Sequence, residues 1–365
     1  MSKVENPLMP RVTETNLQAY LQQHGYVDAE VVAIAPLGQS EQGGLKDYGY
    51  GRPLRITFRS RGDTRDLVLR TMSPDPFGHD RRADRANTLL LAYDSFHSIP
   101  EHIEPFDVGA FNENGELVSM AHGEFFLITD FVEGKLYAND LLRLSQHDEL
   151  LDGDLERARG LARYLATLHG ETCAPEHYIR ELRDVVGSGE GIMGLCDSYP
   201  ENHPIATPQR LRSIEAESLR WRWTLKAYKH RARRTHGDFH PFNLLFRDGV
   251  DFSVLDCSRG GVGEPADDLT ALSINYLFFS LQSHRLFHGA LRELWNAFWH
   301  TYLEETNDTE VLDVVAPFFA WRGLVLASPM WYPHIEDSLR ERLLRFVEKL
   351  LDGASFHPDT VDELL

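Results

Sequence analysis

The sequence predicts an α+β chain of two lobes: a small antiparallel-sheet lobe with one helix, then a larger, mainly helical lobe. Three observations predict this. Strand-like runs lie between turn residues over roughly residues 31–131, an apolar crossing ending in glycine spans 125–134, and a helical apolar period follows. At 365 residues each lobe can hold a core of its own. The expected division is 1–130 and 131–365.

The strands come first. VVAIAPLG from Val31, LRITFRS from Leu54 and DLVLRTM from Asp66 cluster or alternate β-branched residues between Gly, Asp and Pro. DRRADRANTLLLAYDSF, from Asp80, breaks that pattern with apolar residues at helical spacing, and Ile99–Pro100 marks its end. Phe125-Phe126-Leu127-Ile128 reads as an apolar strand, with Thr129 to Gly134 as the crossing. Beyond it Leu155, Ala158, Leu161, Ala162, Leu165 and Leu168 share one face of a core helix. Turns then lead into SLRWRWTLKAYKHRARR, whose alternation of Arg and Trp reads as packing with the charges reaching out to water. From Ala266 to Leu351 the chain is again helical and rich in Phe, Trp and Leu, without an internal repeat.

Bulk composition excludes some functions. A formal net charge of -19 opposes long-range attraction to nucleic acid or to an anionic membrane, which are themselves polyanions. The same acidity suits either a cationic substrate or plain solubility. Cys173, Cys196 and Cys257 form no CxxC pair, so neither a disulfide framework nor a thiolate zinc site is expected, and reduced thiols fit the cytoplasm. No signal-peptide stretch and no run of about 18 apolar residues is present, so neither export nor a membrane span is expected.

The chemistry gathers in THGDFHPFNLLFRDGVDFSVLDCSRGGVGEPADDLTAL, residues 235–272. His236, Asp238 and Asn243 stand as H-x-D-x-x-x-x-N, and the strand-like run from Phe252 to Leu255 delivers Asp256. Phosphoryl transfer needs a carboxylate to orient the attacking hydroxyl and take its proton, and metal ions to neutralise charge on the phosphate oxygens. Mg²⁺ takes a few carboxylate or amide oxygens together with phosphate and water oxygens, which suits Asn243 and Asp256 beside Asp238.

These residues resemble the aminoglycoside phosphotransferase and choline kinase-like family, which shares its fold with protein kinases. HGDFHPFNLLF is similar to that family's catalytic loop. The resemblance implies Asp238 as catalytic base, Asn243 and Asp256 as Mg²⁺ ligands, and ATP, or GTP, as phosphate donor. GEPADDL is similar to the family's G-[DE]-P-x-x-D-L, which implies that Asp268 supports the loop, with His236 as scaffold. The likeness is sharp over residues 235–272 and fair over the crossing, where Asp130 and Val132 are expected to border the nucleotide, and over LARYLATLHG.

In the small lobe, Gly38, Ser40 and Gly43 belong either to a phosphate-cradling loop or to a plain Gly-rich turn. Arg70 is similar in position to the family's phosphate-binding Lys or Arg, and arginine can grip phosphate bidentately. The helix that follows has no Glu to pair with it; Asp84 is the nearest candidate, and an ordinary surface-helix Asp is the other reading. Cys257 stands where the family has an aromatic residue and is expected to pack as a small hydrophobe. Asp197, Glu201 and Glu264 are candidates for lining a substrate pocket, with solvated surface positions the default.

The resulting expectation is an ATP- and Mg²⁺-dependent phosphotransferase acting on the hydroxyl of a small molecule. The other readings are a nucleotide-binding scaffold or regulator whose chemistry has decayed, and a protein-directed kinase on the same fold. Amino sugars, amino alcohols, amino acids and sugars fit the pattern alike, and the oligomeric state stays open.

Overall fold

The computed structural model describes residues 12–37, 51, 53–257, 259 and 261–365. The expected loop residues Gly38, Ser40 and Gly43 lie outside them. The chain divides into two compact units, Met1–Thr129 and Asp130–Leu365.

The first unit is built on a three-stranded antiparallel sheet of β1 (Glu30–Pro36), β2 (Leu54–Ser60) and β3 (Asp63–Leu69), in that order. Arg61 and Gly62 join β2 to β3 with φ of 52° and 87°. Positive φ at both central residues is what a two-residue turn of matching twist requires, so register runs unbroken from Ser60↔Asp63 to Leu54↔Leu69. Leu17, Leu21, Ala29, Val31, Ile56 and Phe58 form this unit's core. Two of them come from α1 (Glu14–Gln23), a helix absent from the sequence expectation of one helix in this lobe. Thr13 caps it by accepting the Asn16 N–H at 3.2 Å. The expected helix is α2 (Arg82–Phe96), none of whose residues is fully buried. A short hairpin of β4 (Gly109–Phe111) and β5 (Leu117–Ser119) follows.

The 125–128 run does not form the expected strand. It belongs to no ladder among the described residues, and Phe125, Phe126, Leu127 and Ile128 are 62, 84, 86 and 81 % exposed. Apolar content makes a strand only where a partner takes up its N–H and C=O groups.

The second unit opens with β6 (Lys135–Leu136), α3 (Tyr137–His147) and α4 (Asp154–Leu168). Ala158, Leu161, Ala162 and Leu165 of α4 are buried, on the face the apolar spacing predicts. Next come α5 (Pro175–Gly187), α6 (Ile192–Asp197) and α7 (Pro208–Leu225). The Trp-rich segment packs only in part, where the sequence leads us to expect packing throughout. The Trp221 indole donates to the Leu351 carbonyl from within the packing, whereas Trp223 is exposed under the Lys226 ammonium.

Short strands frame the loop that carries the chemistry. These are β7 (Arg233–Arg234), β8 (Leu244–Phe246), β9 (Phe252–Val254) and β10 (Val262–Gly263), with β8 between β6 and β9, and β7 paired to β10. Behind them α8 (Pro265–His284) is buried at every residue from Pro265 to Leu281. α9 (Gly289–Thr306), α10 (Ala316–Ala327) and α11 (Asp337–Leu351) complete the core, in which Trp295, Trp299, Phe319 and Phe356 form one aromatic cluster.

Candidate active site

The loop between β7 and β8 is held by its own backbone amides. The His236 and Gly237 N–H groups donate to Asp268 Oδ2 and Oδ1 at 2.7 and 2.8 Å, so one carboxylate in the first turn of α8 takes up both donors. Asp268 is fully buried, and a negative side chain is favoured at a helix N-terminus. His236 does a second tethering job. Its Nδ1 accepts the Asp238 N–H at 3.2 Å, which leaves Nε2 to donate to the Leu255 carbonyl at 2.8 Å. The ring thereby binds the loop to the end of β9. Phe239 is buried and stacks on Tyr164 with ring centroids 5.7 Å apart, anchoring the loop's middle.

Asp238 lies at the centre of this arrangement and is nearly buried. Its Oδ1 accepts from Arg322 Nη1 at 2.8 Å and Arg259 Nη1 at 3.1 Å. Its Oδ2 has only longer neighbours, Asn243 Nδ2 at 3.4 Å and His240 Nε2 at 3.5 Å. Burial by itself would favour the protonated acid. His240, Arg322 and Arg259 together outweigh it and hold the carboxyl well below the usual carboxylate range.

Asn243 closes a single 3₁₀ turn, Pro241–Asn243. Its amide nitrogen donates to the Asp238 carbonyl at 3.0 Å, so its Oδ1 is the atom left to accept or to ligate. The β8–β9 hairpin then returns the chain to the same place. Leu244 pairs with Val254, and the Leu255 N–H donates to the Asn243 carbonyl at 2.8 Å. Asp256 is the next residue, exposed, with φ of 49°, a left-handed conformation that Asp tolerates better than most side chains. It is bracketed by two tethers, Leu255 to Asn243 and Arg259 to Asp238. The Asn243 amide oxygen and the Asp256 carboxylate are hard donors of the kind Mg²⁺ takes. Among the described residues, no group of three or more His, Cys, Asp or Glu could hold a metal ion.

Well over half of the chain, residues 55–307, matches the model of the phosphotransferase enzyme family (APH). The chain belongs to that family. No curated protein matches this phosphotransferase. Among solved structures it is similar to the choline kinase LicA of Streptococcus pneumoniae, with 11 % identity over 92 % of this chain and 99 % of that one and a TM-score of 0.34. It is also similar to the ethanolamine kinase of Plasmodium vivax, with 12 % identity over 94 % and 84 % and a TM-score of 0.36. For the aminoglycoside phosphotransferase APH(3'')-Id of Streptomyces rimosus the figures are 15 %, 84 % and 98 %, and 0.32. The α+β class read from the sequence, a small antiparallel sheet in the first unit and a mainly helical second unit, is the class this phosphotransferase has.

The other expected residues of the phosphotransferase are placed as follows. Arg70 is exposed, one residue past the end of β3 instead of within the strand. Asp84 Oδ2 accepts the Arg81 N–H at 2.9 Å, reaching back from the first turn to the N-cap residue of its own helix. Asp130 is exposed and Val132 half-buried in the unpaired stretch that precedes β6. Cys257 is exposed instead of packed, because it follows the left-handed turn at Asp256. Glu264 is not solvated: it is fully buried, and the Arg231 guanidinium binds it at 2.7 Å.

Sequence reasoning missed the cations around Asp238. Arg259 and Arg322 both reach Asp238, and Asp267 binds Arg322 at 2.6 Å. Arg322 did leave a signal. It is the lone charge in APFFAWRGLVLA, and a charge on such a helix must be buried with a partner. The acidic surroundings extend to Glu181 of α5, whose carboxyl is so close to Gly263 that a Cβ there would lie 2.3 Å from it. A cavity of about 460 Å³ is lined by His169, Arg231, Tyr302 and Asp308, and none of Asp238, Asn243 or Asp256 lines it.

Proposed function

We propose that this phosphotransferase moves the γ-phosphate of ATP to the hydroxyl of a small molecule, with Mg²⁺ as cofactor. The observation that carries the proposal is the state of Asp238: a nearly buried carboxylate, held ionised, with one oxygen strongly bonded and the other only lightly engaged. Such a group orients an alcohol.

In the proposed reaction Asp238 Oδ2 accepts the acceptor's O–H proton while its oxygen bonds to the γ-phosphorus. The bond from that phosphorus to the bridging oxygen breaks, and ADP leaves. Asn243 Oδ1 and Asp256 would hold Mg²⁺, which when bound neutralises negative charge on the phosphate oxygens. In the first unit, Arg70 and the glycine-rich segment with Gly38, Ser40 and Gly43 are the proposed phosphate contacts, and Asp130 and Val132 the proposed nucleotide neighbours. A decayed scaffold has no physical need for an ionised, lightly bonded carboxylate at this place, and that favours the enzyme.

The test is ADP release from Mg²⁺-ATP with amines, aminoglycosides, choline, homoserine and sugars as acceptors. One class should raise turnover, and Asp238→Ala should abolish it while ATP still binds. Turnover that survives Asp238→Ala removes the residue from the mechanism; ATP binding without any turnover in the wild type favours the scaffold.

A further inference from the structure

Arg322 is the only charged residue of α10, and its side chain is 7 % exposed. Its guanidinium makes three bonds. Nη1 donates to Asp238 Oδ1 at 2.8 Å, and Nη2 to the Gly237 carbonyl at 3.0 Å and to Asp267 Oδ1 at 2.6 Å. The Trp321 ring lies 4.0 Å from its central carbon, and the indole N–H is itself fixed by the Glu190 carbonyl at 2.7 Å. Nε, also buried, has no hydrogen-bond partner among the described residues.

A residue chosen for stability alone would not look like this. Removing a guanidinium from water costs several kcal/mol, and an apolar side chain of similar volume often serves a core as well or better. What an apolar side chain cannot do is hold a carboxylate and the carbonyl beside it in one plane. Arginine's rigid fork does that, and the single ammonium of lysine does not. Arg259 also bonds Asp238 Oδ1, but it is partly exposed and shared with Glu190, so it leaves the carboxylate free to turn.

We infer that Arg322 is a positioning residue that reaches Asp238 from the core and pins Oδ1, so that Oδ2 alone faces the acceptor hydroxyl. Asp267 is the counter-ion that makes the buried guanidinium tolerable, which gives the first of the two adjacent aspartates in GEPADDL a role separate from that of Asp268. The inference rests on the proposed role of Asp238 and adds the atom on which that role depends.

The experiment uses the full chain and Mg²⁺-ATP with amines, aminoglycosides, choline, homoserine and sugars as acceptors. Wild type, Asp238→Ala, Arg322→Lys and Arg322→Ala are compared for ADP release, for ATP binding by calorimetry and for folded fraction by circular dichroism. Arg322→Lys should lower kcat by about 100-fold, the scale of a misplaced reacting group, with KM and ATP affinity unchanged. Dilute guanidinium chloride should restore part of the turnover of Arg322→Ala and none of that of Asp238→Ala. If Arg322→Ala does not fold, Arg322→Lys decides alone. Wild-type kcat in Arg322→Lys, a loss matched by weakened ATP binding or by a lower folded fraction, or folded Arg322→Ala that guanidinium leaves unchanged overturns the inference. Turnover in Asp238→Ala, or none in the wild type, defeats instead the phosphotransfer reading beneath it.

Discussion

His169 Nε2 stands 3.1 Å from Asp268 Oδ2, and both side chains are buried. The other ring nitrogen meets the Tyr302 hydroxyl at 2.9 Å, so α4, α8 and α9 converge behind the loop that carries Asp238. The same Asp268 oxygen accepts the His236 N–H, and its partner accepts that of Gly237. Loop geometry is thus set by the packing of three helices.

Asp268→Ala should therefore cost both stability and turnover. It strips two buried N–H groups of a charged acceptor, at about 1.5–3 kcal/mol each, or about 3–6 kcal/mol in all. The urea unfolding midpoint should fall accordingly, and kcat should drop in whatever protein remains folded. An unchanged midpoint would show that the loop is held by something else.

Glu181 supplies a test of pH dependence. Burial pushes its carboxyl well above the ordinary value, with Asp267, Glu264 and Asp268 adding repulsion that outweighs the hydrogen bond from the Glu264 N–H. Oε2 accepts the Glu264 N–H at 3.1 Å, and Oε1 has no hydrogen-bond partner among the described residues. The fold therefore keeps a proton that the unfolded chain releases near pH 4.3, give or take about a unit. Stability from this group is full below that pH and is lost as pH rises toward the folded pKa, at up to about 1.4 kcal/mol per unit. Glu181→Gln mimics the protonated acid and should be more stable than wild type, by a margin that widens in urea unfolding from about pH 5 to about pH 8. A margin that does not change with pH would mean that Glu181 is ionised in the fold.

What could be read from the sequence follows from the range of each signal. The α4 face and the β1–β3 sheet were legible because apolar spacing and turn chemistry act within a few residues. So was the segment from His236 to Asp268, whose residues meet through a short hairpin and a single helix turn. Helix α1 was not, since only Leu17 and Leu21 are buried and two apolar residues make a faint stripe. The strand expected at 125–128 failed for the opposite reason: it had the composition of a strand but no partner. Arg322 lies 84 residues from Asp238, and nothing local in the sequence states that pairing.

Asp256 carries the last prediction. Its carboxylate is exposed, yet it follows directly on Leu255, whose N–H is tied to the Asn243 carbonyl at 2.8 Å. Asp256→Asn keeps the shape and removes the charge that would attract a divalent ion. The Mg²⁺ concentration for half-maximal ADP release should rise by about tenfold or more, since losing even an outer-shell partner commonly costs about 10–100-fold in metal affinity. Unfolding should barely change, because among the described residues no hydrogen bond or ion pair is made to this exposed carboxylate in a left-handed turn. Asn243→Ala should differ from it: the amide also braces the Asp238 carbonyl, so kcat at saturating Mg²⁺ should fall as well. An Asp256→Asn protein with the wild-type Mg²⁺ requirement would place the ion elsewhere.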